Sequence, residues 1–366
     1  MNNKHRRNEI SLWQFILTIS GVQVGFGLLT FPHELEQVAG TDGWISLLIG
    51  GFITILISLC IIKIMAKHPG DFLIDVLTRY MGKWLGKAAM VIWILYCLLG
   101  CMSLLFSFIY VIRLWVLPKT PSYAVMSLAV IPAFMLARGG VRIISRYAVF
   151  VFFFTIWMPF LLLMPLKESH LLYLLPILKE GWMPILHAAK MSVLPFLGFE
   201  FAFILYPYLK QKKSAGKGIV IANIITLVVY LQITFVCFTY FSPDEISQFV
   251  WPTLTLVKPI HFTFLERFEI VFLSFFIFIF SDSVIPYFFS ATEGINQLFK
   301  KERWNLPVYL LLGLIFAVTI FFKPSVGQMA TWRDWWGITG YFVCYAFPVV
   351  FLLYITGYTY WQRRKT

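Results

Sequence analysis

Gly21-Val22-Gln23-Val24-Gly25-Phe26-Gly27, running on into Leu28-Leu29-Thr30-Phe31-Pro32, lies in the middle of the first long apolar run, Ile10 to Pro32. Three glycines and a glutamine are poor material for a plain apolar helix. Each Gly costs a helix interior roughly 1 kcal/mol relative to Ala. In lipid, backbone freed by a break must find partners inside the protein or line a cavity. The stretch therefore predicts a discontinuous helix of the kind that holds substrates near the midplane of many transporters. Small-residue packing against a neighbouring helix is the alternative reading.

Composition supports a membrane setting. The 366 residues are 60% hydrophobic, against about 45–50% for soluble globular chains, and mean hydropathy is +0.80. Phe (38), Tyr (17) and Trp (13) are abundant, as interfacial aromatic belts require. The net charge of +13 does not imply nucleic acid, because the basic residues fall in short clusters between apolar runs, where orientation explains them. Cys60, Cys97, Cys101, Cys237 and Cys344 all lie within apolar runs, so neither a disulfide frame nor a metal site is expected. The run after the basic N-terminus is too long for a signal peptide and shows no small-residue cleavage site.

A spanning helix needs about 20 mostly apolar residues. On that rule ten spans are expected: 11–33, 44–66, 87–112, 121–138, 143–165, 184–209, 218–241, 268–296, 305–323 and 337–360. Roughly 21 of the 30 Lys and Arg fall on one side, among them Lys4, Arg6, Arg7, Lys63, Lys67, Arg138, Arg142, Lys210, Lys212, Lys300, Arg303, Arg363 and Arg364. The other side holds Glu34, Glu36, Asp42, Asp244 and Glu245. Both termini are thus expected in the cytoplasm. Chain 1–366 reads as one transmembrane domain of two five-span halves, about 10–165 and 184–361. An odd number of spans per half inverts the second half, so the fold class expected is an all-α membrane protein, a five-plus-five inverted repeat with helices one and six broken.

Depth then picks out residues. Gly21 to Gly25 lie near the centre of span one, Tyr96, Gly100 and Cys101 in span three, Phe196-Leu197-Gly198-Phe199-Glu200 in span six, and Ser281-Asp282-Ser283 in span eight. An acid inside the membrane costs from about 2.5 kcal/mol upward and usually faces a cavity or a partner. Pro195 and Gly198 predict a second break in span six, with an ordinary proline kink as the alternative. The candidate ligand-binding residues are Gly21, Gln23, Gly25, Phe26, Gly27, Tyr96, Cys101, Gly198, Phe199, Glu200 and Ser281. Asp282 and Glu293, eleven apart on one helix face, are candidates for a proton, ion or water path. Glu293 paired at the cytoplasmic surface is the plainer reading. His187 and Lys190 open span six on the outer side and either guide an anion or snorkel. No Walker loop, His-Glu-x-x-His or nucleophile elbow occurs, so an enzyme is not expected.

Ile19-Ser20-Gly21 through Gly27 to Pro32 resembles the first-helix motif of the amino acid–polyamine–organocation permeases, and Phe196-Leu197-Gly198-Phe199-Glu200 resembles their sixth-helix motif. Gly40-Thr41-Asp42-Gly43-Trp44, Trp251-Pro252-Thr253-Leu254 and Glu266-Arg267-Phe268 resemble, more closely, the B subunit of GerA-type spore germinant receptors. The resemblance covers essentially the whole chain. It implies a LeuT-like fold in the spore inner membrane, a small germinant (typically an amino acid) held in the permease-like core, a larger A subunit and a lipoprotein C subunit as partners, and no cofactor. A proton- or sodium-coupled amino acid permease, and an assembly subunit with a vestigial pocket, are the competing readings. From Tyr147 to Pro165 the fifth span carries no ionisable side chain except Tyr147, whereas some proton-coupled relatives place a lysine there.

Overall fold

The computed structural model describes residues 9–260, 267–301, 305–321 and 325–365. Lys4, His5, Arg6, Arg7, His261, Glu266, Arg303 and residues 322–323 of the ninth expected span lie outside them. Among the described residues the secondary structure is helical, apart from one isolated parallel bridge between Ile10 and Leu209.

The first span is broken. Ser11 and Gln14 form a reciprocal capping box that starts α1 (Leu12–Gln23). Val24, Gly25 and Phe26 leave the helix, and α2 (Gly27–Ala39) resumes it. The break thus falls just after Gln23, with Gly21 still helical. A short turn leads into α3 (Gly43–Ala66), followed by the surface helix α4 (Leu73–Met81) and the long α5 (Lys83–Trp115). Then come α6 (Ser122–Arg138), α7 (Val141–Thr155) and its continuation α8 (Trp157–Leu161).

The sixth span is broken too. It runs through α9 (Trp182–Met191) and α10 (Val193–Phe196), stops at Leu197 and Gly198, and continues through a 3-10 turn into α11 (Ala202–Leu205). Its two parts are bent by 47°. Two local causes coincide there. Pro195 lacks an N–H, and Gly198 takes φ +130°, which a side chain rarely allows.

The chain continues with α12 (Ala215–Tyr240), the short α13 (Pro243–Ile246) and α14 (Pro252–Val257), then α15 (Phe268–Leu298), α16 (Leu306–Phe321), α17 (Val326–Gly340) and α18 (Phe347–Lys365). A π-helical segment, Tyr341–Ala346, joins the last two into one rod. That rod begins eleven residues earlier than hydropathy places it, because Arg333, Asp334 and three tryptophans masked its N-terminal half. By length and apolar composition six helices can cross a membrane, or seven with the bent sixth span, and α6 and α16 are shorter apolar helices. The protein is an all-helical integral membrane protein. Ten spans are reached by taking α1 with α2 as one broken span, separate from α3, and counting α6 and α16.

α5 and α15 pack along one another at the centre, and α1 lies against α7, α12 and α15. The bridge at Ile10 ties the start of span one to the end of span six. Ile10 N–H donates to Tyr208 O (3.0 Å) and Lys210 N–H to Ile10 O (3.1 Å).

A β-carbon at Gly198 would lie 2.9 Å from both Val22 Cγ1 and Gln23 Cγ and 3.0 Å from the Gln23 backbone nitrogen. Gly198→Ala should therefore cost about 2 kcal/mol or more, from strain and clash together. Gly216→Ala, a helical site with nothing nearer than 3.8 Å, should be neutral or stabilising. Thermal unfolding in detergent measures both; equal melting temperatures for the two variants would contradict this view of the sixth-span break.

Candidate functional site

Gln23, the last residue of α1, joins the two breaks. Its Nε2 donates to the carbonyl of Phe196, the last residue of α10 (2.8 Å), and to Asn223 Oδ1 (2.9 Å). Its Oε1 accepts from Thr226 Oγ1 (2.9 Å). Its own carbonyl accepts from the Tyr230 hydroxyl (3.0 Å). Asn223, Thr226 and Tyr230 all stand on α12, so one helix supports both breaks. The Phe196 carbonyl, freed where α10 ends and otherwise suited to an ammonium, is therefore already taken by Gln23.

Glu200 secures the other side. It is fully buried. Its Oε1 accepts from the hydroxyls of Tyr96 (2.7 Å) and Tyr287 (2.9 Å), and its Oε2 accepts from the Gly198 N–H (2.6 Å). The carboxyl group thus caps the amide that the left-handed Gly198 frees, and ties span six to α5 and α15.

Next to the first break is a small cavity of about 30 Å³. Its wall includes Gln23, Gly25, Phe26, Gly27, Ser103, Tyr230, Arg333 and Trp336. The N–H groups of Phe26 and Gly27 make no hydrogen bond among the described residues. Ser103 Oγ and Trp336 Nε1 are buried and have no partner among the described residues. The space suits a water molecule and is too small for an amino acid, so the protein is closed around this point.

A wider outer cavity of about 210 Å³ shares Phe26, Thr30, Glu34, Ser107 and Arg333 with the inner one. Arg333 and Glu34 stand between the two. Arg333 Nη2 lies 2.9 Å from Glu34 Oε1, close but without hydrogen-bond alignment, and Arg333 Nε has no partner. The guanidinium also sits 5.6 Å over the Phe26 ring.

The residues expected from the sequence divide between several places. Gln23, Gly25, Phe26 and Gly27 line the inner cavity. Gly21 does not: a β-carbon there would meet Asp282 Oδ2 at 2.0 Å, so this glycine makes room for α15. Gly25 and Gly27 do the same for Ser283 Oγ (2.6 Å) and Tyr230 Oη (2.8 Å). Tyr96, Gly198 and Glu200 form the buried cluster behind the wall. Phe199 packs edge-on against Tyr345 (5.1 Å), and Cys101 is buried in α5 outside the cavity wall. Ser281 pairs with Tyr147 (2.5 Å) on the far side of α15. Asp282 faces a different cavity with Gly21. Glu293 accepts from Gln297 Nε2 (3.2 Å), outside the walls of all these cavities.

With this geometry in view, comparison with known proteins places the chain. A family described as "Spore germination protein" matches residues 9–325. The chain belongs to that family. It is 26% identical to spore germination protein GerQB of Bacillus cereus over 94% of this chain and 95% of that one. It is 26% identical to spore germination protein A2 of Bacillus subtilis (strain 168), over 96% and 95%. YndE, a spore germination protein of the same Bacillus subtilis strain, is 28% identical over 84% and 85%. Among solved structures, a mutant manganese transporter from Eremococcus coleocola superposes with a TM-score of 0.62 at 13% identity, covering 93% of this chain and 78% of that one. The germination protein thus has a LeuT-like transporter fold.

Ser103, Ser107, Tyr230, Arg333 and Trp336 escaped the sequence reading. Serines and tyrosines in apolar runs often bond only their own surroundings, and 324–336 read as a loop. The signal that could have found Arg333 and Trp336 is their spacing, i to i+3, on an extended last span.

Tyr96→Phe and Tyr287→Phe each keep the ring and leave Glu200 Oε1 one donor, so each should cost about 1 kcal/mol. The double variant leaves that oxygen bare and should cost more than the sum. Thermal unfolding of the four proteins tests this; strict additivity would mean that the carboxyl is not shared as described.

Proposed function

We propose that this protein is the germinant-sensing B subunit of a spore germinant receptor, and that it binds a small nutrient, an amino acid, at the inner cavity. The observation that carries the reading is an enclosed wall of unpaired polar groups at the first helix break, in a chain of the spore germination protein family. The Phe26 and Gly27 N–H groups stand at the start of α2, the positive end of its dipole, which suits a carboxylate. Ser103 Oγ and Trp336 Nε1 offer further polar contacts. The ammonium must find acceptors other than the Phe196 carbonyl, and Ser103, Ser107 and Thr30 are within the wall.

A nutrient arrives through the outer cavity and meets the Arg333–Glu34 pair first. Its carboxylate competes with Glu34 for the guanidinium, which separates the pair and admits the ligand. Because the closed cavity holds only a water, binding requires the outer half of the last span to move away from α2. That displacement is the signal passed to a larger A subunit and a lipoprotein C subunit in the spore inner membrane. Both termini then lie in the cytoplasm, as the basic clusters direct.

The transporter fold favours a second reading, a coupled amino acid permease. Uphill uptake by the purified protein in liposomes separates the two: the sensor binds labelled amino acid without accumulating it.

Dose–response curves in spores carrying this chain as their B subunit test the site. Ser103→Ala or Trp336→Phe should raise the half-maximal nutrient concentration by about tenfold, the effect of one lost hydrogen bond. Gly27→Val should abolish the response at normal membrane levels, since its side chain would occupy the space against Tyr230 and Pro195. A normal response in Gly27→Val would remove the inner cavity from consideration.

A further inference from the structure

A larger cavity, about 320 Å³, opens sideways toward lipid between α7, α8 and α12. Phe160 and Val228 stand at its mouth, 66% and 57% exposed. Its walls are aliphatic and aromatic, including Val151, Phe152, Ile224 and Phe272. At its inner end lie Gly21 of α1 and Asp282 of α15. Asp282 is 2% exposed, and its Oδ1 has no hydrogen-bond partner among the described residues. Leaving a buried carboxyl oxygen unpaired is costly.

Several donors around this oxygen are committed elsewhere. Thr155 Oγ1 donates to Val151 O, Gln232 Nε2 to Pro159 O, and Ser283 Oγ to Gly21 O. Ser281 and Tyr147 bond one another. Ser20 Oγ accepts from Thr226 Oγ1 (3.1 Å). An occupant of the cavity can supply the donor that Asp282 Oδ1 lacks.

We infer that this cavity binds a single-chain aliphatic molecule with a hydroxyl head, which enters from the lipid and donates to Asp282 Oδ1. An apolar mouth admits such a molecule because nothing charged must be desolvated on the way in. A plain hydrocarbon or a lipid tail fills the same walls but leaves the carboxyl oxygen bare. One hydroxyl matches one unpaired acceptor. The site also has a consequence for the first break. Ser20, Gly21, Val24 and Leu28 line this cavity, whereas Val22, Gln23, Gly25, Phe26 and Gly27 line the inner one. An occupant from the membrane thus presses on the opposite face of the same broken helix.

The test uses the full chain in lipid nanodiscs with a photoreactive aliphatic alcohol. Crosslinks are expected in α7, α8 and α12. Excess decanol should suppress them on the order of tenfold more effectively than decane at equal membrane mole fraction, the weight of one hydrogen bond. Asp282→Leu should erase the difference between the two competitors. Val228→Trp, a change at the lipid-facing mouth that leaves the core untouched, should lower labelling altogether. Equal competition by decane and decanol in the unaltered protein would reduce the cavity to ordinary lipid contact and overturn the proposal. Labelling that ignores Val228→Trp would do the same. Both of those outcomes can be read even if Asp282→Leu fails to fold.

Discussion

The amide of Gln23 is the interaction on which the rest depends. Two helices stop inside a membrane, and each stop frees backbone groups that lipid cannot satisfy. A primary amide has two donor hydrogens and an acceptor oxygen, and here one group serves both helices. It closes the Phe196 carbonyl of span six while holding Asn223 and Thr226 of α12. A carboxylate in its place could not donate to Phe196. A hydrocarbon would leave the Phe196 carbonyl and Asn223 Oδ1 without this donor. The breaks can stand opposite each other only because this side chain lies between them.

Glu200 does the complementary work on the donor side. Gln23 satisfies a carbonyl at the end of α10, and Glu200 satisfies an amide just after it, at Gly198. Together they satisfy one carbonyl and one amide at the break of span six. The first break is treated differently. Tyr230 takes the Gln23 carbonyl, yet the amides of Phe26 and Gly27 stay open. The asymmetry has a chemical meaning. Span six is finished internally, and span one keeps its positive helix end available beside a cavity.

The helical architecture was legible in the sequence because membrane helices obey a simple rule of length and apolar composition. The break at Val24–Phe26 and the bend at Gly198 follow from Gly and Pro in apolar runs. What the sequence hid was the use of the glycines. Gly21, Gly25 and Gly27 suggest backbone laid bare for a ligand. In the structure Gly21 makes room for Asp282, Gly25 for Ser283 and Gly27 for Tyr230. Nothing in a single chain says which neighbour fills the space over a glycine, because that is decided by helices 200 and more residues away. The Arg333–Glu34 pair was hidden for a second reason. A charged, tryptophan-rich stretch reads as a loop until the helix around it is seen to continue.

The first break therefore has two faces, and they differ in kind. The face toward α17 is polar and tight, closed by a misaligned ion pair and an unpartnered indole. The face toward α7 and α12 is apolar and roomy, with one buried carboxyl at its end. A helix held by its own hydrogen-bond ladder would transmit little between them. Here the ladder is interrupted over Val24 to Phe26, so Gln23 and the Tyr230 hydroxyl supply the restraint instead. Side-chain hydrogen bonds of this sort exchange partners more readily than a helical ladder does. Whatever shifts the break on one face must be felt on the other through the same few atoms. The sensing proposed above, of a bound molecule that is not carried across, would use that shared dependence.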